Sequence, residues 1–230
     1  MINNTTLTKI KNMPLFNTLD ESALAKLTDI IIFRKYKKGM LVFVEGETGD
    51  ALYFVNSGLI KLSKTMEDGR EQVLRYVKDG DIFAEILLFD KGPFPATAEV
   101  VQDSEIGIIR NHELEKFLFC HPHITIHILK IMGKRLRQAQ QQVRELALYS
   151  TFDRLVATLL KLARDHGEKS TKGIRINLVL GQQDLANMIG SSRETVARFI
   201  TDLKKSKTIS VEKQYITIIN KEKLLNWLLK

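Results

Sequence analysis

An α+β chain is predicted: an N-terminal all-β unit, a long helix with an apolar seam, and a C-terminal helix-turn-helix with a β-hairpin beside it. Three observations predict it. From Ile31 to Arg110 short strands alternate with turn residues every eight to twelve positions. Leu129, Met132, Leu136, Ala139, Val143 and Leu146 recur at spacings of three and four. The stretch GQQDLANMIGSSRETVARFITDLKKS, residues 181–206, reads as two helices separated by a glycine.

Composition narrows the class. The 230 residues are 44% hydrophobic and 27% charged, as in globular domains. No run approaches the roughly 20 apolar residues that span a bilayer, and the polar start MINNTTLTKIKNMPLF lacks an apolar leader core. No membrane association is expected. The single cysteine, Cys120, excludes a disulfide framework and fits a reducing cytoplasm. The net charge of +8 is unevenly placed: residues 148–230 hold 15 Lys+Arg against 8 Asp+Glu. A basic segment of this kind lowers the free energy of approach to phosphates. No G-x-S-x-G, P-loop, H-E-x-x-H or dinucleotide motif is present, so an enzyme is not expected.

Taken in order, residues 14–30 predict one helix, capped by Thr18 or Asp20, with Leu24 and Leu27 on one face. Eight short strands follow: 31–36, 41–44, 51–56, 59–64, 71–77, 81–83, 96–101 and 105–110. The turns between them include Ser57-Gly58, Asp68-Gly69 and Asp79-Gly80, where glycine allows positive φ. Eight such strands argue for a closed barrel, a jelly roll or a sandwich, each able to enclose a small molecule. A helix starts at Asn111, its expected cap. Pro122 interrupts, and a longer helix runs from His123 to Leu148. Its two-in-seven apolar seam, flanked by residues such as Arg135, Gln140 and Arg144, fits pairing with a second copy of the chain. The expected dimer residues are Leu129, Met132, Leu136, Val143 and Leu146.

A hinge is expected at 148–152, with Thr151 capping the next helix, 152–166. GEKSTKG reads as a loop, 174–180 as a strand, 209–219 as a hairpin and 221–230 as a last helix holding Trp227. Between them, 182–189 buries Leu185, Ala186 and Ile189, Gly190 ends the helix, and Ser191 or Ser192 caps the next. That helix buries Val196, Ile200 and Leu203 and turns Arg193, Glu194 and Arg198 outward. This is a winged helix-turn-helix, whose second helix offers its first residues to the major groove. Arginine there pairs with guanine and glutamate with cytosine.

The order β-rich unit, long helix, winged helix-turn-helix, together with SSRETVARFITDLKKS and GDIFAEILLFDKGPFPATAEVV, resembles the cyclic-AMP receptor protein and fumarate–nitrate reduction regulator (Crp/Fnr) superfamily over about Leu15 to Ile219. The resemblance implies a double-stranded β-helix, the jelly roll of cyclic-nucleotide-binding-like domains. It implies an effector domain at 1–110, a dimerisation helix at 111–148 and a DNA-binding domain at 149–230. It further implies a homodimeric transcription regulator on palindromic double-stranded DNA with RNA polymerase as partner. DNA contacts are implied for Gln182, Ser191, Ser192, Arg193, Glu194, Thr195, Arg198 and Lys204, reading a TGTGA-like half-site through Arg193, Glu194 and Arg198. Effector contacts are implied for Phe83, Ala84, Glu85, Ile86, Leu87, Ala96 and Thr97, with Ala139 and Gln140 from the helix.

The sensor departs from the nucleotide-binding pattern. Glu85 matches the ribose acceptor, but the phosphate-holding Arg and its neighbour fall on Pro95 and Ala96, which offer no side-chain donor. The adenine-facing pair falls on Ala139 and Gln140. A small-molecule effector other than cyclic AMP is therefore expected. An iron–sulfur cluster needs more cysteines than the one present. Heme would have Cys120, His121, His123 and His127 to choose from, against the plainer reading of a core thiol and surface histidines. Regulation without a ligand, or through oxidation of Cys120, stays open beside the effector.

Overall fold

The computed structural model describes residues 4–90 and 92–228, the side chains of residues 4–6 and 9 excepted. The chain divides into two compact units, Met1–Leu136 and Arg137–Lys230.

In the first unit α1 (Asn4–Asn12) and α2 (Glu21–Asp29) precede the strands β1 (Ile31–Tyr36), β2 (Leu41–Phe43), β3 (Ala51–Thr65), β4 (Glu71–Lys78), β5 (Ile82–Phe83) and β6 (Thr97–Arg110). Then come α3 (Asn111–Cys120) and α4 (Pro122–Leu148), whose residues fall in both units. The sheet is antiparallel in the order β1-β6-β3-β4, with β2 also on β6 and β5 also on β3.

The eight predicted strands become six. Segments 51–56 and 59–64 are one strand, and so are 96–101 and 105–110, which begin at Thr97. Ser57-Gly58 is a bulge rather than a hairpin: the β3–β6 register shifts between Val55 and Ser57 and again up to Ile60. Gly58 sits at φ 112°, and a Cβ there would collide with Ser104 and the Asp103 carbonyl. The bulge changes which side chains face inward. Before it Val55 points to the interior of the roll while Leu52 and Phe54 pack on the helices; after it Ile60 takes the interior place. The interior is filled by Phe43, stacked on Phe94 with ring centroids 3.8 Å apart, and by Phe83 and Tyr53 against it.

The helical side of the sheet buries Leu15, Phe16 and Leu27 against Phe54 and Ile109. Asp20 caps α2 by accepting from the Ala23 amide at 2.7 Å. Asn111 does not cap α3: Arg110 takes that position, and the Asn111 side chain donates instead to the Leu87 carbonyl at 2.8 Å. Leu114, Phe117, Ile124 and Ile128, all beyond residue 110, belong to the same core.

In the second unit α5 (Thr151–His166), β7 (Gly167–Ser170), β8 (Gly173–Ile176), α6 (Gln182–Ile189), α7 (Arg193–Lys205), β9 (Ile209–Glu212), β10 (Tyr215–Ile218) and α8 (Lys221–Leu228) follow. Its sheet runs β7-β8-β10-β9. Leu155, Leu159, Leu185, Val196, Leu203 and Ile218 form the buried centre. The α5 cap is Ser150, not Thr151: Ser150 Oγ accepts from the Asp153 amide and Asp153 accepts from the Ser150 amide, each at 3.2 Å. The predicted loop GEKSTKG is the hairpin β7–β8. Its exposed residues carry no apolar alternation, and the pairing of β8 with β10 holds it. The other hairpin turns at Lys213 and Gln214, both at positive φ (49° and 65°), a two-residue turn made without glycine.

The bulge predicts unequal costs for two glycines. Gly69, at φ 82°, has open space where a Cβ would go. Gly69→Ala should cost about 1–2 kcal/mol from the backbone alone. Gly58→Ala should cost about 1–3 kcal/mol more through overpacking against Ser104. Urea unfolding of the two variants measures the difference.

Candidate nucleic-acid interface and sensor cassette

Helix α6 ends on Gly190, whose φ of 62° and ψ of 53° reverse the chain toward α7. Ser192 caps α7, accepting from the Thr195 amide at 3.2 Å; Ser191 lies outside the helix, half-buried. The buried stripe Val196, Ile200, Leu203 fixes the rotation of α7 about its axis. Arg193, Glu194, Arg198 and Lys204 therefore stand exposed, as does Gln182 on α6, while Thr195 is half-buried. The α7 amide of Glu194 itself, and then the Ser192 hydroxyl, hold the Glu194 carboxyl below its ordinary range. It is an acceptor throughout the neutral range.

Behind Arg198 lie three aromatic residues, of which the sequence reading named only Trp227, on the last helix, and gave it no role. The Arg198 guanidinium lies 5.3 Å from the centroid of Phe199. Phe199 packs edge-on to Phe152 at 5.1 Å, and Phe152 to Trp227 at 5.4 Å. These positions come from α7, α5 and α8, and no local pattern links them. In the sheet Arg175 covers the Tyr215 ring at 4.0 Å, and Lys172 pairs with Glu212 at 2.6 Å. Lys172 lies in the segment read as a loop, whereas Arg175 lies in the strand expected from residue 174 and found in β8.

On α4 the seam residues Leu129, Leu136, Val143 and Leu146 are 50–67% exposed, and Ala139 is exposed with them. Met132 differs: it is half-buried and packs, with Ile131, on the core of the first unit.

In the sensor cassette Phe83 and Leu87 are buried and Ile86 is 38% exposed. Ala84 adopts the left-handed region at φ 57°, where it starts a 3₁₀ turn over Glu85–Leu88. Ala96 is buried, and Thr97 accepts from the Glu45 amide at 3.0 Å. Ala139 and Gln140 are exposed residues in the other unit's range. Glu85 is buried and ion-paired with Arg135 of α4. Arg135 also donates to the Ile82 carbonyl at 2.6 Å, and Arg75 of β4 donates to the same oxygen at 2.8 Å. Burial pushes the Arg135 guanidinium down to about 9, and Arg75 adds to that while Asp81 opposes it. Burial likewise lowers Arg75. Sequence reasoning placed Arg135 on the polar flank of a helix and passed over Arg75, since neither lies in the cassette. Pro95 and Ala96 bring no side-chain donor to the loop.

Cys120 is exposed, not the core thiol expected. His121 lies against Phe117 at 4.4 Å between centroids, with His123 at 6.0 Å from His121. Among the described residues no three His, Cys, Asp or Glu are grouped to hold a metal ion, and no helix is long and apolar enough to cross a membrane.

Comparison with known proteins places both units. Residues 33–121 match the cyclic nucleotide-binding domain, and residues 153–227 match the Crp-like helix-turn-helix domain. The chain is 35% identical over 200 residues to the anaerobic regulatory protein of Bacillus subtilis, covering 86% of this chain and 84% of that one. It is 30% identical over 210 residues to the CRP-like cAMP-activated global transcriptional regulator of Mycobacterium tuberculosis, covering 91% and 94%. Among solved structures, the c-di-GMP responsive global regulator CLP of Xanthomonas campestris shares the fold, with a TM-score of 0.76 at 24% identity over 86% of this chain and 99% of that one. The capped, arginine-bearing α7 and the β-roll thus sit in a chain that belongs to the Crp/Fnr superfamily of DNA-binding transcription regulators.

Proposed function

We propose that this regulator acts as a homodimer on a TGTGA-like palindrome and is gated by a small-molecule effector other than cyclic AMP, bound in the β-roll. One observation carries the DNA reading: α7 is capped at Ser192 and presents Arg193, Glu194 and Arg198 together on its exposed side. That set can pair arginines with guanines and a glutamate with cytosine. The apolar stripe Leu129, Leu136, Val143 and Leu146 supports pairing of two copies, because an exposed two-in-seven seam is best covered by its own equivalent. Two-fold pairing then fits half-sites about one helical turn apart, roughly 34 Å. The effector would act by binding one of two states of the dimer better than the other. RNA polymerase is the expected partner at the promoter, and the cytoplasm the expected compartment.

A second reading rests on the exposed Cys120, whose oxidation would switch DNA binding without a ligand. Equal loss of DNA binding under oxidant in the wild type and in Cys120→Ser removes that reading; loss in the wild type alone establishes it.

Two outcomes test the main reading. Arg198→Ala should weaken binding to the preferred site by about 1–3 kcal/mol and relax the choice of one guanine per half-site. Selection from random duplexes, compared with the wild type, measures both; an unchanged base preference rejects the role. Leu136→Glu, which buries a charge in the paired seam, should give a monomer in sedimentation velocity with weakened affinity for a full palindrome. A Leu136→Glu dimer of unchanged stability would reject the seam.

A further inference from the structure

Arg75, Arg135 and Glu85 form a polar cluster beneath the cassette. Two guanidinium groups share one carbonyl oxygen, that of Ile82. Each guanidinium is a cation at neutral pH, and two brought together in a half-buried site repel unless carboxylates or other anions lie between them. Two carboxylates are near. Glu85 pairs with Arg135, and the charge of Asp81 favours the ionised form of both arginines. Arg75 makes no ion pair among the described residues; its one hydrogen bond uses one of five N–H groups. None of its nitrogens is both fully buried and unbonded, so the unused donors of this half-buried side chain keep some contact with solvent.

The loop opposite tells the same story from its own side. Positions 95 and 96, Pro and Ala, carry no cation. Phe94 before them is buried and stacked on Phe43, filling the interior of the roll. The two guanidinium groups that meet at the Ile82 carbonyl come instead from strand β4 and helix α4. Glu85, the acceptor a sugar hydroxyl would need, is already engaged by the chain's own arginine.

We propose that the effector is a small anion whose carboxylate or phosphate group is held by Arg75 and Arg135. The anion takes the place that Glu85 occupies on Arg135 and adds the partner that Arg75 lacks. Glu85 is then a resident competitor, and binding releases the tie between the cassette and α4. The inference rests on the β-roll being the effector domain and deepens that reading by naming the ligand chemistry.

The test uses the full chain at constant ionic strength. Thermal unfolding and calorimetry are followed with inorganic phosphate, succinate, citrate, adenosine and cyclic AMP. At least one of the three simple anions should bind saturably, and which one distinguishes phosphate from carboxylate recognition. Glu85→Gln, which keeps shape and removes the competing charge, should bind that anion about tenfold more tightly. Arg75→Gln should bind it at least tenfold more weakly. Arg75→Lys, which keeps charge without the fork, should fall between, and circular dichroism confirms that each variant is folded. The proposal is overturned if no anion binds the wild type or Glu85→Gln, if Arg75→Gln binds as well as the wild type, or if uncharged adenosine binds as tightly as the best of the three anions. Anion binding should persist in Arg198→Ala, which separates this site from base reading. An anion that binds through Arg75 yet leaves DNA affinity unchanged upholds the site and rejects the gating.

Discussion

The β-roll depends on a single long pairing. Strands β3 and β6 run side by side for most of their length, and each serves two parts of the domain in turn. A straight pair could present only one alternation of side chains to each face. The bulge at Ser57-Gly58 adds the residue that changes the alternation, so Val55 and then Ile60 face the interior while Leu52 and Phe54 serve the helical core. Ser104 closes the bulge from β6, accepting from the Leu59 amide at 3.1 Å, and Asp79 accepts from the Gly58 amide at 2.8 Å. A backbone left unpaired by the register shift is thus satisfied by side chains, which is what makes the irregularity stable.

That arrangement explains which parts of the fold could be read from the sequence. The strand segments were visible because β-branched and aromatic residues alternate within them. Whether Ser57-Gly58 ended a strand or bulged one was not, because glycine after serine serves both and the choice lies with Ser104, some 46 residues on. The same applies to GEKSTKG. Its residues favour a loop, and only the pairing of β8 with β10 makes it a hairpin. At Asn111 and Thr151 the residue types were right for caps, yet the neighbours Arg110 and Ser150 hold those positions. Local chemistry locates a helix end to within a residue or two, and tertiary partners decide the rest.

The two functional regions differ in the same way. Arg193, Glu194 and Arg198 belong to one helix, whose buried stripe determines what faces out, so periodicity alone exposes them. Their support does not: Phe199, Phe152 and Trp227 meet from three helices. In the sensor the chemistry itself is dispersed. Glu85 was legible as a cassette carboxylate, but its partner is on α4 and the second guanidinium is on β4. Met132 shows the opposite case, a residue with correct seam spacing that leans into its own core because Ile131 and Ile128 carry it there.

The Glu85–Arg135 pair also limits what kind of molecule can compete for this place. Removing one partner of a buried pair leaves an uncompensated charge, at a cost of about 3–5 kcal/mol. A neutral ligand that drew Glu85 away would have to supply that much in new contacts before gaining any affinity. The proposed anion would not face the same cost at Arg135, since it replaces the carboxylate it displaces. It also gives Arg75 a partner, relieving repulsion between two guanidinium groups that share one carbonyl. For the proposed anion, electrostatic exchange rather than filling of an apolar space would therefore be the lower-energy route, since the interior is already packed by Phe43, Phe83 and Phe94.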